Sequence, residues 1–422
     1  MLSHFVNGPN RQEAGYVLVT SSLSILVLLG FVGLAVDVGY LQFQKRRIQS
    51  AADAAAAGAA FQLAAHATAD TARTEAKYDS KKNGFEDGTN GVTITVNIPP
   101  TGGNYTASSY AAEAIVRQST PTFFMRLFSI NDATVAARAV GQVGNSTGCI
   151  YALDPTAQDA FLESGGGTHV SIPCGVNVNS SNSKALETSG GSCLGASSVN
   201  VVGDQRGAQW LACAGGAAPN TLQPHFADPL AFVPDPTVPA GCDHTNYTAP
   251  GGTSTIAAGT YCNGITVSGG GTTLHLGGGM YYLKGGGMTV SGGANLISDD
   301  GVTFYNTQAP GFSYSKLSVT GGSTTTLNAP TTGDYAGILF FQDRSIVDNN
   351  ANVISGTSTT NFTGALYFKT TPLEFSGGSS GAGDWTIIVA DKVKFTGGSN
   401  LGNDFSSYPN GSPIKQGAKI VE

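Results

Sequence analysis

Hydrophobic and polar positions follow three regimes along the chain. From Tyr16 to Val36 there are 21 residues without a charge, closed by Asp37. At about 1.5 Å per residue a helix over this run spans roughly 31 Å, matching a bilayer's hydrocarbon core. A secretory signal would have a shorter apolar region of about 7–15 residues and then a cleavage site. The run therefore predicts a retained anchor. Beyond Asp37 the pattern stays helical. No proline occurs from Val38 to Ala65, Ala51–Ala60 is almost all alanine, and Leu41, Lys45, Ile48 and Ala52 recur at steps of three or four. The alanine run reads equally as helix propensity alone or as a surface for close packing.

The second regime alternates. Residues 92–98 (VTITVNI) predict a strand stopped by Pro99-Pro100, and Tyr110–Gln118 and Thr134–Val143 predict two more. The apolar segment Phe123–Phe128 lies between them. A long helix followed by a small sheet is a pilin-like layout.

In the third regime, short alternating runs end in Ser/Thr-Gly: Ile265–Gly271, Met288–Gly293, Leu317–Gly322, Leu373–Gly378 and Val393–Gly398. Val353–Gly356 is a weaker copy, with Phe161–Gly166 and Glu187–Gly191 as candidate earlier ones. Spacings of about 20–35 residues are those of stacked repeats. No L-x-x-L-x-L pattern recurs, and propeller blades need about 40 residues each. A parallel β-solenoid fits, with Gly pairs at the corners.

Composition sharpens this picture. Charged residues are only 12% of the chain and glycines number 58 of 422. The formal net charge of −7 argues against a nucleic-acid partner. The six cysteines, Cys149, Cys174, Cys193, Cys213, Cys242 and Cys262, all fall in the Gly-rich part and none forms C-x-x-C. Six cysteines allow 15 pairings, and an even set of this kind reads as structural disulfides in an oxidising compartment. Lys45, Arg46 and Arg47 after the anchor would by charge alone hold that side in the cytoplasm. Long domains translocate largely regardless of such charges, so the cysteines decide for export. Steps of 20–25 residues are about one rung, and rungs about 4.8 Å apart suit a disulfide. The expected pairs are Cys149–Cys174, Cys193–Cys213 and Cys242–Cys262. Between the last two pairs, Pro219, Pro224, Pro229, Pro234, Pro236 and Pro239 predict a long irregular crossing segment, with Phe226, Leu230 and Phe232 available to pin it.

Gly15, the apolar run, Asp37-Val38-Gly39-Tyr40, Arg46-Arg47-Ile48-Gln49 and Ala51-Ala52-Asp53-Ala54-Ala55-Ala56 occur in that order. Together they resemble the N-terminal domain of TadE/TadG-type proteins of the bacterial Tad/Flp pilus-assembly system. The resemblance covers about 50 residues. It implies a single-pass inner-membrane anchor bounded by Gly15 and Asp37, with the bulk of the chain in the periplasm or cell envelope, and other pilus-assembly proteins and the lipid bilayer as partners. A cleavable Flp prepilin would carry glutamate five residues after its cleavage-site glycine. Here Gly15 is followed at that distance by Thr20, so the resemblance is to an assembly component and not to the major subunit.

Candidate chemistry is sparse. Asp299-Asp300 is an adjacent carboxylate pair, but glycoside hydrolysis needs a second acid at a set distance, and a polar turn explains the pair. His244 beside Asp243, with His225 upstream, lacks H-E-x-x-H, and Cys242 is expected to be oxidised. Ser291-Gly292 and its relatives lack the G-x-S-x-G elbow. Tyr281-Tyr282, Phe304-Tyr305, Phe312, Tyr314 and Trp385 offer either a sugar-binding surface or a core ladder. No catalytic, metal or cofactor site is expected.

The resulting expectation is an α+β chain. Residues 1–14 form a cytoplasmic tail, 15–37 a transmembrane helix, 38–148 an Ala-rich helix with a small pilin-like sheet, and 149–422 a disulfide-stapled parallel β-helix. A structural pilus-assembly or secretion component is the first functional reading. A membrane-tethered β-helix that binds or cleaves a surface polysaccharide is the alternative.

Overall fold

The computed structural model describes residues 11–422 apart from 146–147, 166–168, 207–211, 214–215, 356–358, 377–379, 382–384, 398, 401–403 and 405–411. Most of the expected tail, residues 1–10, and the repeat glycines Gly166, Gly356, Gly377, Gly378 and Gly398 lie outside the described residues. The chain divides into two compact units, residues 1–144 with 416–422, and residues 145–415.

The first unit is built on one helix, α1 (Arg11–Ala64), 54 residues long. Its apolar first part is exposed, with Leu18, Leu23, Leu26, Leu28 and Phe31 among the side chains facing outward. The hydroxyls of Thr20, Ser22 and Ser24 donate back to carbonyls three or four residues earlier, so they are satisfied without water. The second part buries Ile48, Ala51, Ala52, Ala55, Ala56, Ala59, Ala60 and Leu63. The alanine run is thus a packing surface. It lies against the small residues Ala112, Ala114, Ala137 and Ala139 of a four-stranded sheet. Contact is close enough that a Cβ on Gly141 would sit 2.2 Å from the Ala56 carbonyl oxygen.

That sheet runs β1 (Val92–Asn97), β2 (Ala111–Pro121), β3 (Asp132–Asn145), then the chain's final strand Lys415–Ile420. Two features depart from the sequence reading. A second helix, α2 (Ala69–Lys82), packs Ala72 and Ala76 against α1. Residues 416–422, expected in the coil, belong instead to the first unit. There Val140 and the terminal segment exchange backbone bonds, while Arg138 bridges Glu113 and Glu422. Burial works to raise the Glu113 pKa, but bonds from Thr101, Asn97 and Arg138 outweigh it and hold the carboxyl at about 2.

The second unit is a parallel β-helix with three columns of strands. One column carries the Ser/Thr-Gly repeats. Met288–Ser291 pairs with Leu317–Val319, followed by Asn352–Ser355, Leu373–Ser376, Val393–Thr396, Phe161–Ser164 and Leu186–Ser189, all parallel. A second column runs through Gly279–Lys284, Val302–Thr307, Ile338–Gln342, Thr359–Phe368, Thr386–Ala390 and Gly148–Ala152. The third includes Gly252–Ile256, Thr272–Leu276, Asn295–Ser298 and Thr324–Asn328. Corners turn at residues such as Gly292 (φ +66°) and Gly321 (φ +68°), in the left-handed region that glycine tolerates. Stacking builds an internal aromatic ladder, in register from Tyr281 to Phe304 to Phe340. Tyr261, Tyr281, Phe304 and Phe340 succeed one another at centroid distances of 5.7, 5.3 and 5.0 Å.

The stacking order is not the chain order. The rungs from residue 244 onward lead up to Thr386–Ala390, which pairs with Gly148–Ala152, the unit's first strand in sequence. The chain therefore enters the stack in its interior, builds one end out to Pro219–Asn220, and must travel to the opposite end before continuing. The proline-rich crossing segment makes that journey as a strap along the flank.

Candidate functional site

Where the apolar part of α1 ends, the expected boundary residue Asp37 faces protein, with 1% exposure. Its carboxylate accepts from the backbone N–H groups of Phe123 (2.8 Å), Phe124 (2.9 Å) and Met125 (2.6 Å). It thereby satisfies the start of the short 3-10 turn Met125–Phe128. Gly15, the other expected boundary, lies within α1. The sequence marked Asp37 as the end of the apolar run but gave no sign that its partner would be the apolar segment about 86 residues on.

In the second unit, the six cysteines form Cys149–Cys174, Cys193–Cys213 and Cys242–Cys262, with Cα separations of 5.7, 4.9 and 5.6 Å. They sit toward the two ends of the stack, with none in the rungs between residues 263 and 400. Cys193–Cys213 precedes the strap, and Cys242–Cys262 fastens its far end to a rung. Between them Leu230 is fully buried, Phe226 is packed on the core, and Phe232 remains 40% exposed. Polar contacts hold the strap at several rungs. His225 meets Asn179, Asp228 accepts from the Tyr367 hydroxyl, and the Lys284 ammonium donates to the carbonyls of Pro239 and Gly241.

Arg344 makes the densest of these attachments. Its guanidinium donates to the Tyr367 hydroxyl (2.8 Å), the Asp235 carboxylate (2.8 Å) and the Leu230 carbonyl (2.9 Å), and it lies over the rings of Phe341 and Tyr367. Arg344→Ala takes a donor from the part-buried Tyr367 hydroxyl and Leu230 carbonyl, frees the exposed Asp235 and removes both ring contacts. The expected loss is about 3 kcal/mol of stability, measurable as a lower urea midpoint, with proteolytic cleavage appearing first within residues 219–241. Arg344→Lys should recover only part of it, since an ammonium cannot span the three acceptors in one plane.

The sequence-selected polar residues are dispersed. Asp299 accepts from His275 (2.6 Å) at the exposed turn it shares with Asp300. His244 stacks on Tyr261, and the Asp243 carboxylate accepts from the Thr260 N–H (2.7 Å). His225 lies at the strap, so the three do not converge. Tyr281, Phe304, Tyr305 and Trp385 are core residues, while Tyr282, Phe312 and Tyr314 are partly buried. The four core rings are thereby ladder residues and offer no surface to a sugar.

Two groupings were not foreseen. His169 lies 2.8 Å from the Cys193 sulfur and 3.7 Å from that of Cys213, but both sulfurs are spent in their mutual disulfide. Asp159, Glu187 and Arg206 bring two carboxyls and a guanidinium together. Burial and the neighbouring Glu187 raise the Asp159 pKa, whereas Glu187 is lowered against its own burial by bonds with Asp159 and Arg206. The two carboxyls are hydrogen-bond partners of each other.

Among known proteins, the Tad family of Flp pilus-assembly TadE/G-like proteins matches residues 15–71, the span of α1 from its apolar run to the first turn of α2. No curated protein and no solved structure matches the chain.

Proposed function

We propose that this chain is a membrane-anchored, non-catalytic component of a Tad/Flp-type pilus-assembly or secretion apparatus, with its disulfide-stapled β-helix outside the cytoplasm. The observation that carries the reading is the coincidence of the TadE/G-like match with a helix that is apolar and exposed first, then alanine-faced and packed. The first half suits lipid and the second suits close protein contact. Three disulfides favour an oxidising compartment, which for an inner-membrane anchor is the periplasm. Other pilus-assembly proteins are the expected partners.

The Asp159–Glu187–Arg206 grouping favours a second reading, a tethered β-helix that binds or cleaves an acidic or neutral glycan. It ranks below the first because glycosidase carboxyls stand about 5–9.5 Å apart, not in contact. Deletion of the gene separates the two. Loss of surface pili and of attachment, restored by the intact gene and by one carrying Glu187→Gln, is the expected result. Normal piliation with a lost glycan-degrading activity would reverse the order.

A further inference from the structure

We propose that the loop around the 3-10 turn Met125–Phe128 is a second membrane-embedded element, a knuckle whose side chains sit among the acyl chains of the leaflet nearest the folded part of the first unit. The proposal rests on the reading of α1 as a membrane span.

The knuckle is fixed to the apolar half of α1 at three points. Asp37 holds its backbone amides as described. The Phe123 ring meets Tyr40 edge-on at 5.1 Å. Phe124 packs where Gly33 has no side chain, since a Cβ there would fall 2.6 Å from the Phe124 ring. The contact leaves an apolar groove of about 370 Å³ between Leu26, Leu29 and Leu34 of the helix and Leu127 and Phe128 of the knuckle. From Leu26 to Asp37 the helix rises about 16 Å, so the knuckle reaches roughly halfway into a 30 Å core whose edge lies at Asp37.

Two observations select lipid as the occupant. First, the knuckle turns its large apolar groups outward. Leu127 is 82% exposed, Phe128 76%, Phe123 53% and Ile130 48%, and they add to the exposed apolar surface of the helix. Secondly, its backbone is prepared for a medium without water. Besides the three amides on Asp37, the N–H groups of Thr122, Leu127, Ser129 and Ile130 bond to carbonyls within the loop, and the Thr122 hydroxyl donates to the Ile130 carbonyl. Hydrocarbon offers no partner to backbone polar groups, so a loop at this depth has to satisfy its own against protein. The exposed Arg126 side chain is long enough to carry its charge back to the headgroups. The consequence is rotational control. A single helix is free to spin about its axis, whereas a helix with a lateral wedge presents one defined face to partners in the membrane.

The test uses the full chain, with its native disulfides, in nanodiscs. Among the described residues no native thiol is free, so Leu127→Cys, Phe128→Cys, Leu26→Cys and Tyr78→Cys each accept one nitroxide label. Collisions with oxygen and with a water-soluble nickel chelate are then compared. Positions 127 and 128 should match position 26, with high oxygen and a loss of nickel accessibility, and oppose the water-exposed position 78. Nickel accessibility at 127 and 128 with position 26 protected would overturn the knuckle and leave the anchor standing. Nickel accessibility at position 26 as well would overturn the anchor. Protection of 127 and 128 from both reagents would identify a protein occupant, a second copy or a partner, and overturn the lipid assignment.

Discussion

Unfolding in the presence of a dithiol reductant is expected to cost the β-helical unit about 10 kcal/mol relative to the oxidised chain. The three disulfides close loops of 25, 20 and 20 residues. By the chain-entropy relation each such loop contributes roughly 3 kcal/mol by limiting the unfolded ensemble. Their placement adds to the effect. An interior rung is hydrogen-bonded on both sides, but a terminal rung is bonded on one and frays first. At one end Cys242–Cys262 ties His244–Thr248 to the one strand it pairs with among the described residues. At the other, Cys149–Cys174 and Cys193–Cys213 join consecutive coils where the chain departs into the strap. Reduction therefore weakens the parts with the least support and frees the strap from its fastening at Cys242. Urea midpoints followed by far-UV circular dichroism, with and without reductant, read this directly. Since all six cysteines lie in the second unit, the loss should be confined to its transition. Coincident curves would show that the staples are dispensable and would remove the main argument for an oxidising compartment.

What the sequence revealed depended on whether a feature leaves a local mark. The first half of α1 did, as a gap in charge, and so did the repeat column, because each rung repeats an alternating run and a glycine corner. Phe161–Ser164 and Leu186–Ser189, the least certain copies in sequence, stand in the same column as the clear ones. Helix α2 left a fainter mark. Its buried face is only Ala72, Ala76 and Ser80, too small to register as an apolar stripe, although the Thr68 cap, Asp70 in the first turn and Lys81-Lys82 in the last were present to be read. The stacking order left none. Val393 meets Phe161 by parallel pairing, and nothing local distinguishes that neighbour from any other alternating strand. The prolines of residues 219–239 did mark a crossing segment, but its direction of travel follows only from knowing which rungs it connects. Asp37 likewise signalled a boundary and concealed its bond to a distant loop.

Substitution of Glu163 by Gln is expected to remove most of the fall in stability of the second unit between pH 5 and pH 8. In the repeat column the inward position two residues into each strand is Val267, Val290, Val319, Ile354, Phe375 or Phe395, and in the next rung it is Glu163. The side chain is fully buried between Phe395 and Thr188, and neither carboxyl oxygen makes a well-formed hydrogen bond. Asn352, a polar residue at the start of another strand of this column, is equally buried but is paired through the Leu317 N–H, the Thr371 hydroxyl and the Pro372 carbonyl. Burial pushes the Glu163 pKa from 4.5 up to about 8, with the nearby Val170 N–H opposing only in part. Below pH 4.5 the group is protonated in both folded and unfolded chains and contributes no pH dependence. Between 4.5 and 8 the folded state binds a proton that the unfolded state has released, so stability falls as pH rises, by up to about 5 kcal/mol in total, and is level above 8. A glutamine side chain at this position carries no charge at any of these values. Glu163→Gln should therefore match the parent chain near pH 5 and exceed it by several kcal/mol at pH 8.5, a difference read from thermal midpoints across the range. Superimposed curves for the two proteins would mean that Glu163 is ionised in the fold and has found a partner or water there. Equal stability losses at both pH values would mean that the carboxyl is held by a specific bond that Gln cannot replace.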